Sequence, residues 1–290
     1  GPSLAQGTQK ETPVTPKANV TYNLTPDNMV YATAAKGYRV GGGNASYAGN
    51  PVCQIDLRTI GIPDAPTTYK SDSVWSYEIG TKNKVLNGQA EISASAFRIN
   101  WSGIQSLIFL PTCGNIYTDN LGSAVSQGAD IDLHARILPG LTWRLSAGYT
   151  DAHYSQTKSM ASGVTLARAG EPLPIPKVSG STSLDFERGL FATEHTMYLN
   201  LTYDYAGSYD RNPPAGVFGG DPTTQFAVAV HSLDARGGVR FGSLDLSLFA
   251  NNVTNSAPEL LRYHETNAST VFRGRTLRPR TFGLTAIYGF

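Results

Sequence analysis

RTFGLTAIYGF, residues 280–290, is the stretch of this chain that decides its fold. Mostly small or polar residues alternate there with apolar ones, and this period of two is that of a β-strand. The apolar positions are Phe282, Leu284, Ala286, Tyr288 and Phe290. An apolar face for lipid, a polar face for a lumen and aromatic residues at the interface are typical of a membrane-barrel strand. This stretch alone leaves open an edge strand of a soluble β-sandwich.

The same alternation recurs along nearly the whole chain. In one segment, Trp75, Tyr77 and Ile79 alternate with Ser76 and Glu78. Charged side chains repeatedly fall on one face of a segment, as in a wide barrel whose lumen is hydrated. The pattern predicts an all-β fold, a transmembrane antiparallel β-barrel wall of about 11 strands. These are residues 17–24, 29–40, 73–85, 89–109, 115–138, 141–156, 176–188, 193–209, 226–242, 243–255 and 277–290.

The composition favours a membrane protein that crosses the bilayer with strands. Charged residues make up 16% of the chain, against roughly a quarter in a soluble domain. Hydrophobic residues make up 40%, but no apolar run reaches the ~18–20 residues of a membrane helix. The net charge of +1 gives no indication of a nucleic-acid partner.

The connections alternate between short and long. Tight turns are predicted at residues 25–28, 87–88, 139–140 and 242–243, with a slightly longer one at 188–194. Long polar loops are predicted at 40–70, 111–115, 156–174, 210–224 and 255–275. Outer-membrane barrels carry short turns on the periplasmic rim and long loops on the outer rim. We therefore expect all the tight turns at one end of the strands, and we expect no helix of useful length.

Five stretches, in this order, resemble segments of TonB-dependent outer-membrane receptors. They are MVYATAAKGYRVGG at 29–42, YEIGTK at 77–82, AFRINWSGIQ at 96–105, NLGSA with QGAD at 120–130, and LFANNVTN at 248–255. The resemblance runs from about residue 15 to residue 290 and covers only the C-terminal half of such a receptor. The plug domain and TonB box of that family are not found in this sequence.

The resemblance implies half of a 22-stranded barrel. Eleven is an odd number, and an open sheet in lipid would leave two edges of unpaired backbone groups. We therefore expect a partner, the N-terminal half of the same receptor, with its plug inside the lumen and the TonB complex acting through it. Residues 1–16 would be an extracellular loop, residues 17–290 the second half of the barrel, and the C-terminus periplasmic. An extra hairpin within 89–138 would instead give twelve strands and a small closed barrel.

The two cysteines, Cys53 and Cys113, fall in neighbouring long loops on the same predicted rim. An export compartment favours a disulfide between them. Two free thiols, or a metal pair lacking its other ligands, are the alternatives.

Candidate ligand-binding residues lie in the long loops and near the outer rim. They are Arg39, Tyr154, Tyr209, Arg211, Asn212, Arg262 and His264. Glu78, Lys82, Asp130, Asp132 and Arg136 are expected to form a structural polar network facing the plug. Tyr288 and the terminal Phe290 resemble the signal that the outer-membrane assembly machinery recognises.

Catalytic motifs for a nucleophilic serine, a zinc protease or a phosphate-binding loop are absent from the sequence. The five histidines show no metal-ligand spacing, so we expect no enzyme, cofactor or metal site. The resemblance implies TonB-dependent uptake of a scarce small-molecule ligand in the bacterial outer membrane, in contact with its lipid. A self-contained passive pore or adhesin-like barrel is one alternative, and a soluble carbohydrate-binding β-sandwich is another.

Overall fold

The computed structural model describes residues 11–190, 195–210, 217–221, 223–224 and 226–289. Eleven long strands form one antiparallel sheet in which each strand pairs with the next in chain order. They are β1 Lys17–Thr25, β2 Asn28–Arg39, β3 Asp72–Val85, β4 Ala90–Ser102, β5 Ser123–Leu138, β6 Leu141–Tyr154, β7 Val178–Gly189, β8 Thr196–Ala206, β9 Val230–Phe241, β10 Leu244–Asn251 and β11 Thr281–Tyr288. The predicted count and order are confirmed, and a soluble sandwich is wrong because a single sheet contains all eleven.

The first and last strands lie at opposite edges of this sheet. Its order begins with β1 and ends with β11, and among the described residues the two do not pair with each other. The sheet is thus open, as expected for half of a larger barrel. No helix in the described part of the chain has the length and apolarity to span a membrane.

In their described residues, the long connections carry ten short strands that pair among themselves. They are Gly42–Gly43, Thr68–Tyr69, Gln105–Leu110, Asn115–Asn120, Lys158–Ser159, Thr165–Ala167, Tyr209–Asp210, Phe226–Ala227, Leu261–Tyr263 and Arg273–Arg275. The prediction that 89–109 and 115–138 are single strands is wrong, because the hairpin formed by Gln105–Leu110 and Asn115–Asn120 is a separate two-stranded sheet. Gly103 and Gly122 separate it from the wall, and both adopt a positive φ that side chains disfavour.

The prediction of no helix is also wrong, since Cys53–Ile60 forms a helix inside the first long connection. Its buried residues include Cys53, Leu57 and Ile60, which share one face at the helical period. Gly61 ends the helix in the left-handed conformation. A helix of eight residues shows the helical period over too few positions to be distinguished from loop sequence.

Residues that pair directly across the sheet share a face, so the register decides which side chains lie together. Val20 pairs with Ala32, Ala32 with Ile79, and Ile79 with Ala96. Val20 and Ile79 are 69% and 64% exposed, and Leu284 at the other edge is 69% exposed. This apolar, uncovered side is the outer face, and it is suited to lipid.

The inner face is polar and is held together by hydrogen bonds between strands. The Tyr31 hydroxyl donates to Glu78, and the Ser146 hydroxyl donates to Asp132 over 2.6 Å. The carboxylates Glu78, Asp130, Asp132 and Asp204 line one depression of about 700 Å³. Tyr31 also lies across its paired Gly80, where a Cβ would meet the ring at 2.5 Å. Small residues here let aromatic rings lie flat against the neighbouring strand.

The main hydrophobic core of the chain lies in the long connections. Its largest fully buried side chains are Cys53, Leu57, Ile60, Leu110 and Tyr117, all outside the eleven wall strands. This distribution fits a membrane wall, whose apolar side chains face outward. The packed hydrophobic core therefore lies in the long connections at one rim of the sheet.

Candidate functional site: the loop cap

Five long connections meet at one rim of the sheet, and we call them the loop cap: residues 40–71, 103–122, 155–177, 207–229 and 252–280. The short turns lie at the opposite rim, where Thr25 pairs with Asn28, Val85 with Ala90, and Phe241 with Leu244. The prediction that turns and loops separate by rim is therefore confirmed for the described turns, with Cys53 and Cys113 at the loop end. Residues 191–194 of the predicted turn at 188–194 lie outside the described residues.

A disulfide joins the first two loops of the cap. Cys53 and Cys113 are bonded, with their Cα atoms 5.0 Å apart, across a separation of 60 residues. Cys53 is fully buried at the start of the helix. The predicted disulfide is confirmed, and it fixes the helix against the hairpin tip.

Buried polar side chains also connect the first two loops by hydrogen bonds. The Asn44 amide donates to the Thr118 carbonyl, and its oxygen accepts the Thr118 N–H, both over 2.8 Å. Asp56, which is buried, accepts the Thr112 N–H over 2.9 Å and the Thr112 hydroxyl over 2.6 Å. Buried groups that are satisfied in this way hold the loops in one arrangement.

At the inner edge of the rim, Asp72 connects the sheet to the cap. Its buried carboxylate accepts hydrogen bonds from Arg39 Nε over 3.1 Å, Trp101 Nε1 over 2.9 Å and the Gln105 N–H over 3.1 Å. The Arg39 guanidinium also lies 4.9 Å from the Trp101 ring centre. Arg39, a ligand candidate, is thus fixed by Asp72 while half of its side chain stays exposed.

Tyr154 lies at the loop end of the inner face, because it pairs with Ala124 beside Trp101. Its hydroxyl is 3.3 Å from the Ser106 hydroxyl, and its ring packs against the core of the cap. This ligand candidate therefore contributes to the base of the cap and shares the rim with Arg39.

The fourth and fifth loops are joined by His264. Its Nε2 lies 2.5 Å from Asp221 Oδ2, and its Nδ1 lies 3.1 Å from the Ser269 carbonyl. Both partners are hydrogen-bond acceptors, so a ring nitrogen that carries a proton donates to the partner beside it. Burial alone would raise the pKa of Asp221, but hydrogen bonds from Thr223 and His264 lower it below its ordinary value.

Arg262 and His264 lie against one aromatic ring. The Arg262 guanidinium is 4.3 Å from the Phe272 ring centre, and His264 stacks on Phe272 at 5.2 Å. The Nε of Arg262 is buried without a hydrogen-bond partner among the described residues. An unsatisfied buried donor is costly, and Arg262 Nη1 also lies 3.9 Å from Glu259 Oε2. Arg262 therefore stays a candidate for anion binding through its partly exposed side chain, in competition with Glu259.

The remaining candidates are spread more widely. Tyr209 begins the short strand Tyr209–Asp210 in the fourth loop, while Arg211, Asn212 and Phe290 lie outside the described residues. Tyr288 pairs with Leu244 near the turn rim and is exposed on the outer face. The loops bring Arg262 and His264 together, and the wall brings Arg39 and Tyr154 to the same rim.

Sequence reasoning missed several residues that organise this site. Asp72 and Asp221 are buried or nearly so and accept several hydrogen bonds each. Asn44 is buried, donates two hydrogen bonds and accepts one. Asp72 lies just before the predicted strand 73–85, and only the structure shows that it pairs with Arg39 and is buried. No local pattern distinguishes these residues from solvated loop polar groups.

A family model described as TonB dependent receptor-like, beta-barrel matches residues 2–255. This chain belongs to that family. A curated relative, the metal-pseudopaline receptor CntO of Pseudomonas aeruginosa, is 24% identical over 173 residues, which are 60% of this chain and 21% of the relative. The chain thus spans about a fifth of that relative's length.

Solved receptors have the same fold. The ferric yersiniabactin uptake receptor FyuA from Yersinia pestis matches 94% of this chain, with 37% of its own length covered, at 17% identity and a TM-score of 0.69. The copper transporter OprC is 13% identical with a TM-score of 0.67, and the match covers 94% of this chain and 40% of OprC. The siderophore receptor PiuA from Acinetobacter baumannii is 15% identical with a TM-score of 0.65, and the match covers 94% of this chain and 35% of PiuA. At these identities the likeness shows the fold alone.

Proposed function

We propose that this chain is the C-terminal half of the barrel of a TonB-dependent receptor that takes up a scarce ligand across the bacterial outer membrane. The observation that carries the proposal is a wall with one apolar and one polar face and a packed loop cap on one rim. The family match supports outer-membrane uptake, and its members are transport receptors rather than enzymes. The loop cap would face outside, and the turn rim and C-terminus would face the periplasm.

The open edges of β1 and β11 support a partner on each side of the sheet. Each edge would pair with a strand of the N-terminal half, because unpaired backbone groups are not tolerated in lipid. The partner would carry a plug, and the polar inner face, including Glu78, Asp130 and Asp132, would contact it. TonB would act through the plug. Residues 1–16 would be the extracellular segment that connects the two halves.

The ligand that fits the cap best is an anionic metal chelate. Five arginines fall within the fifth loop, residues 252–280, against the two acidic residues Glu259 and Glu265. Relatives that carry metal or siderophore names support this class. Arg262 and His264 would contact the ligand from the fifth loop, Arg39 and Tyr154 from the rim, and Tyr209, Arg211 and Asn212 from the fourth loop.

Uptake by the full-length protein tests this function. Cells that depend on the receptor should take up a radiolabelled ferric chelate when TonB is present, and lose that uptake when TonB is deleted. Arg262→Gln should weaken chelate binding about tenfold, as expected for a lost hydrogen bond to a charged group. Arg188→Gln, which changes an arginine near the turn rim, should leave binding unchanged. TonB-independent uptake would instead identify a passive pore.

A further inference from the structure

The outer face carries a shallow apolar groove near the first edge of the sheet. The groove has a volume of about 530 Å³, within the roughly 300–1,000 Å³ of ligand pockets. Tyr77 and Ile79 border it and are both well exposed. Four small residues line it: Ala18, Ala32, Ala34 and Ala96.

The register explains why this groove exists. Ala18 pairs with Ala34, and Ala34 with Tyr77, while Ala32 pairs with Ile79. On this face β2 carries alanines, with Ala18 beside them on β1, whereas β3 carries the larger Tyr77 and Ile79. The step in side-chain size leaves a depression with apolar walls, which suits the hydrocarbon chain of a lipid.

Two cations lie at the loop end of this groove. Arg98 pairs with Tyr77, is exposed and forms part of the groove lining. Lys36 is two residues beyond Ala34 on the same face and pairs with Trp75. In the described part of the chain, neither makes an ion pair with a carboxylate. Arg98 is held by amide oxygens, Gln127 Oε1 at 2.9 Å and Asn100 Oδ1 at 3.2 Å.

We infer that this groove binds one acyl chain of a phosphorylated glycolipid of the outer leaflet, with a lipid phosphate on Arg98 and Lys36. A planar guanidinium positioned by two amides suits phosphate oxygens. Trp75 and Tyr77 stack with ring centres 6.0 Å apart at the same level, where aromatic residues mark the membrane interface. The inference rests on the outer-membrane placement and is independent of the ligand carried by the receptor.

Native mass spectrometry of the full-length receptor tests this site, with lipid A carrying two phosphates as the probe. Arg98→Gln and Lys36→Gln together should weaken binding by about tenfold, since each cation near a membrane surface contributes on the order of a fewfold in affinity. Ala34→Phe, which fills the groove, should weaken it similarly. Arg188→Gln, an exposed arginine near the turn rim, and Ala286→Phe on β11 are the matched controls.

Dephosphorylated lipid A and phosphatidylglycerol complete the test, and both should bind at least fivefold more weakly than lipid A. Equal binding by the groove variants and the wild type would overturn the site. Equal binding of the dephosphorylated lipid would overturn the role of the cations, and equal binding of phosphatidylglycerol would overturn the choice of glycolipid. Uptake of the ferric chelate by these variants should stay normal, which separates this site from the transport function.

Discussion

At the scale of single residues, the loop cap depends on buried acids that accept several hydrogen bonds. Asp72 connects Arg39, Trp101 and Gln105, and Asp221 connects Thr223 to His264. Each acid therefore joins segments that are distant in the sequence. Removing one would leave buried donors unpaired, which costs more than the bond itself contributes.

Asp221 gives the junction of the fourth and fifth loops a dependence on pH. Its pKa is lower in the folded cap than its ordinary value of about 3.9. The stabilisation is therefore present above the ordinary value and is lost as pH falls through the lower folded value. We expect hydrogen exchange in residues 264–272 to increase below about pH 4. Asp221→Asn should raise exchange at neutral pH and flatten this acid response, whereas an unchanged acid response would contradict the role of Asp221.

At the scale of elements, the cap is a small folded unit and the sheet is a membrane wall. The helix Cys53–Ile60 and the hairpin Gln105–Leu110 with Asn115–Asn120 pack their apolar faces on each other. Neither element pairs with the wall strands through backbone ladders. The disulfide, the buried core and the hydrogen bonds of Asn44 and Asp56 therefore connect the first two loops.

Removing the disulfide should loosen the cap and leave the wall intact. Cys53→Ala with Cys113→Ala opens a loop closed over 60 residues, which destabilises the cap by up to about 4 kcal/mol. Trypsin should then cleave faster at Arg58, an exposed residue of the helix. Heat-modifiable gel mobility of the full-length receptor should not change. Equal cleavage of the variant and the wild type would show that the disulfide is not needed to hold the helix.

At the scale of the whole molecule, the described strands form an open wall. Each strand pairs with its neighbours, but the first and last strands do not pair to close a barrel. Eleven strands follow one another without a crossover, and the extra hairpin at the rim does not change their number. A closed small barrel would need β1 and β11 to pair. The part of the molecule that the structure describes places them at opposite edges instead.

The last strand provides a test of assembly in the membrane. Deletion of Phe290 in the full-length receptor should lower its amount in the outer membrane several-fold, because the alternating sequence pattern of residues 280–290 finishes on this aromatic residue. Phe272→Ala, which removes an aromatic ring from the fifth loop, is the control for loss of ligand binding with normal assembly. Normal membrane levels of the Phe290 deletion would contradict the assembly role.

The sequence by itself determined the wall. Alternation has a period of two and depends on nearest neighbours, so the segments around Trp75–Ile79 and Phe282–Tyr288 predict their own strands and apolar faces. The separation of turns from loops follows from connection lengths, which are also local. Even the disulfide could be inferred, since the loops that contain Cys53 and Cys113 adjoin the same rim.

Only the tertiary structure decided how the cap is built and where the outer groove lies. The helix at Cys53–Ile60 is stabilised by burial against a hairpin about 50 residues away, and short helices depend on such packing rather than on propensity. Asp72 with Arg39, Asp221 with His264, and Arg98 with Gln127 are contacts between different strands or loops, so these contacts arise only once the register is set. Strand pattern is a local property of a sequence, whereas a site is formed by long-range contacts.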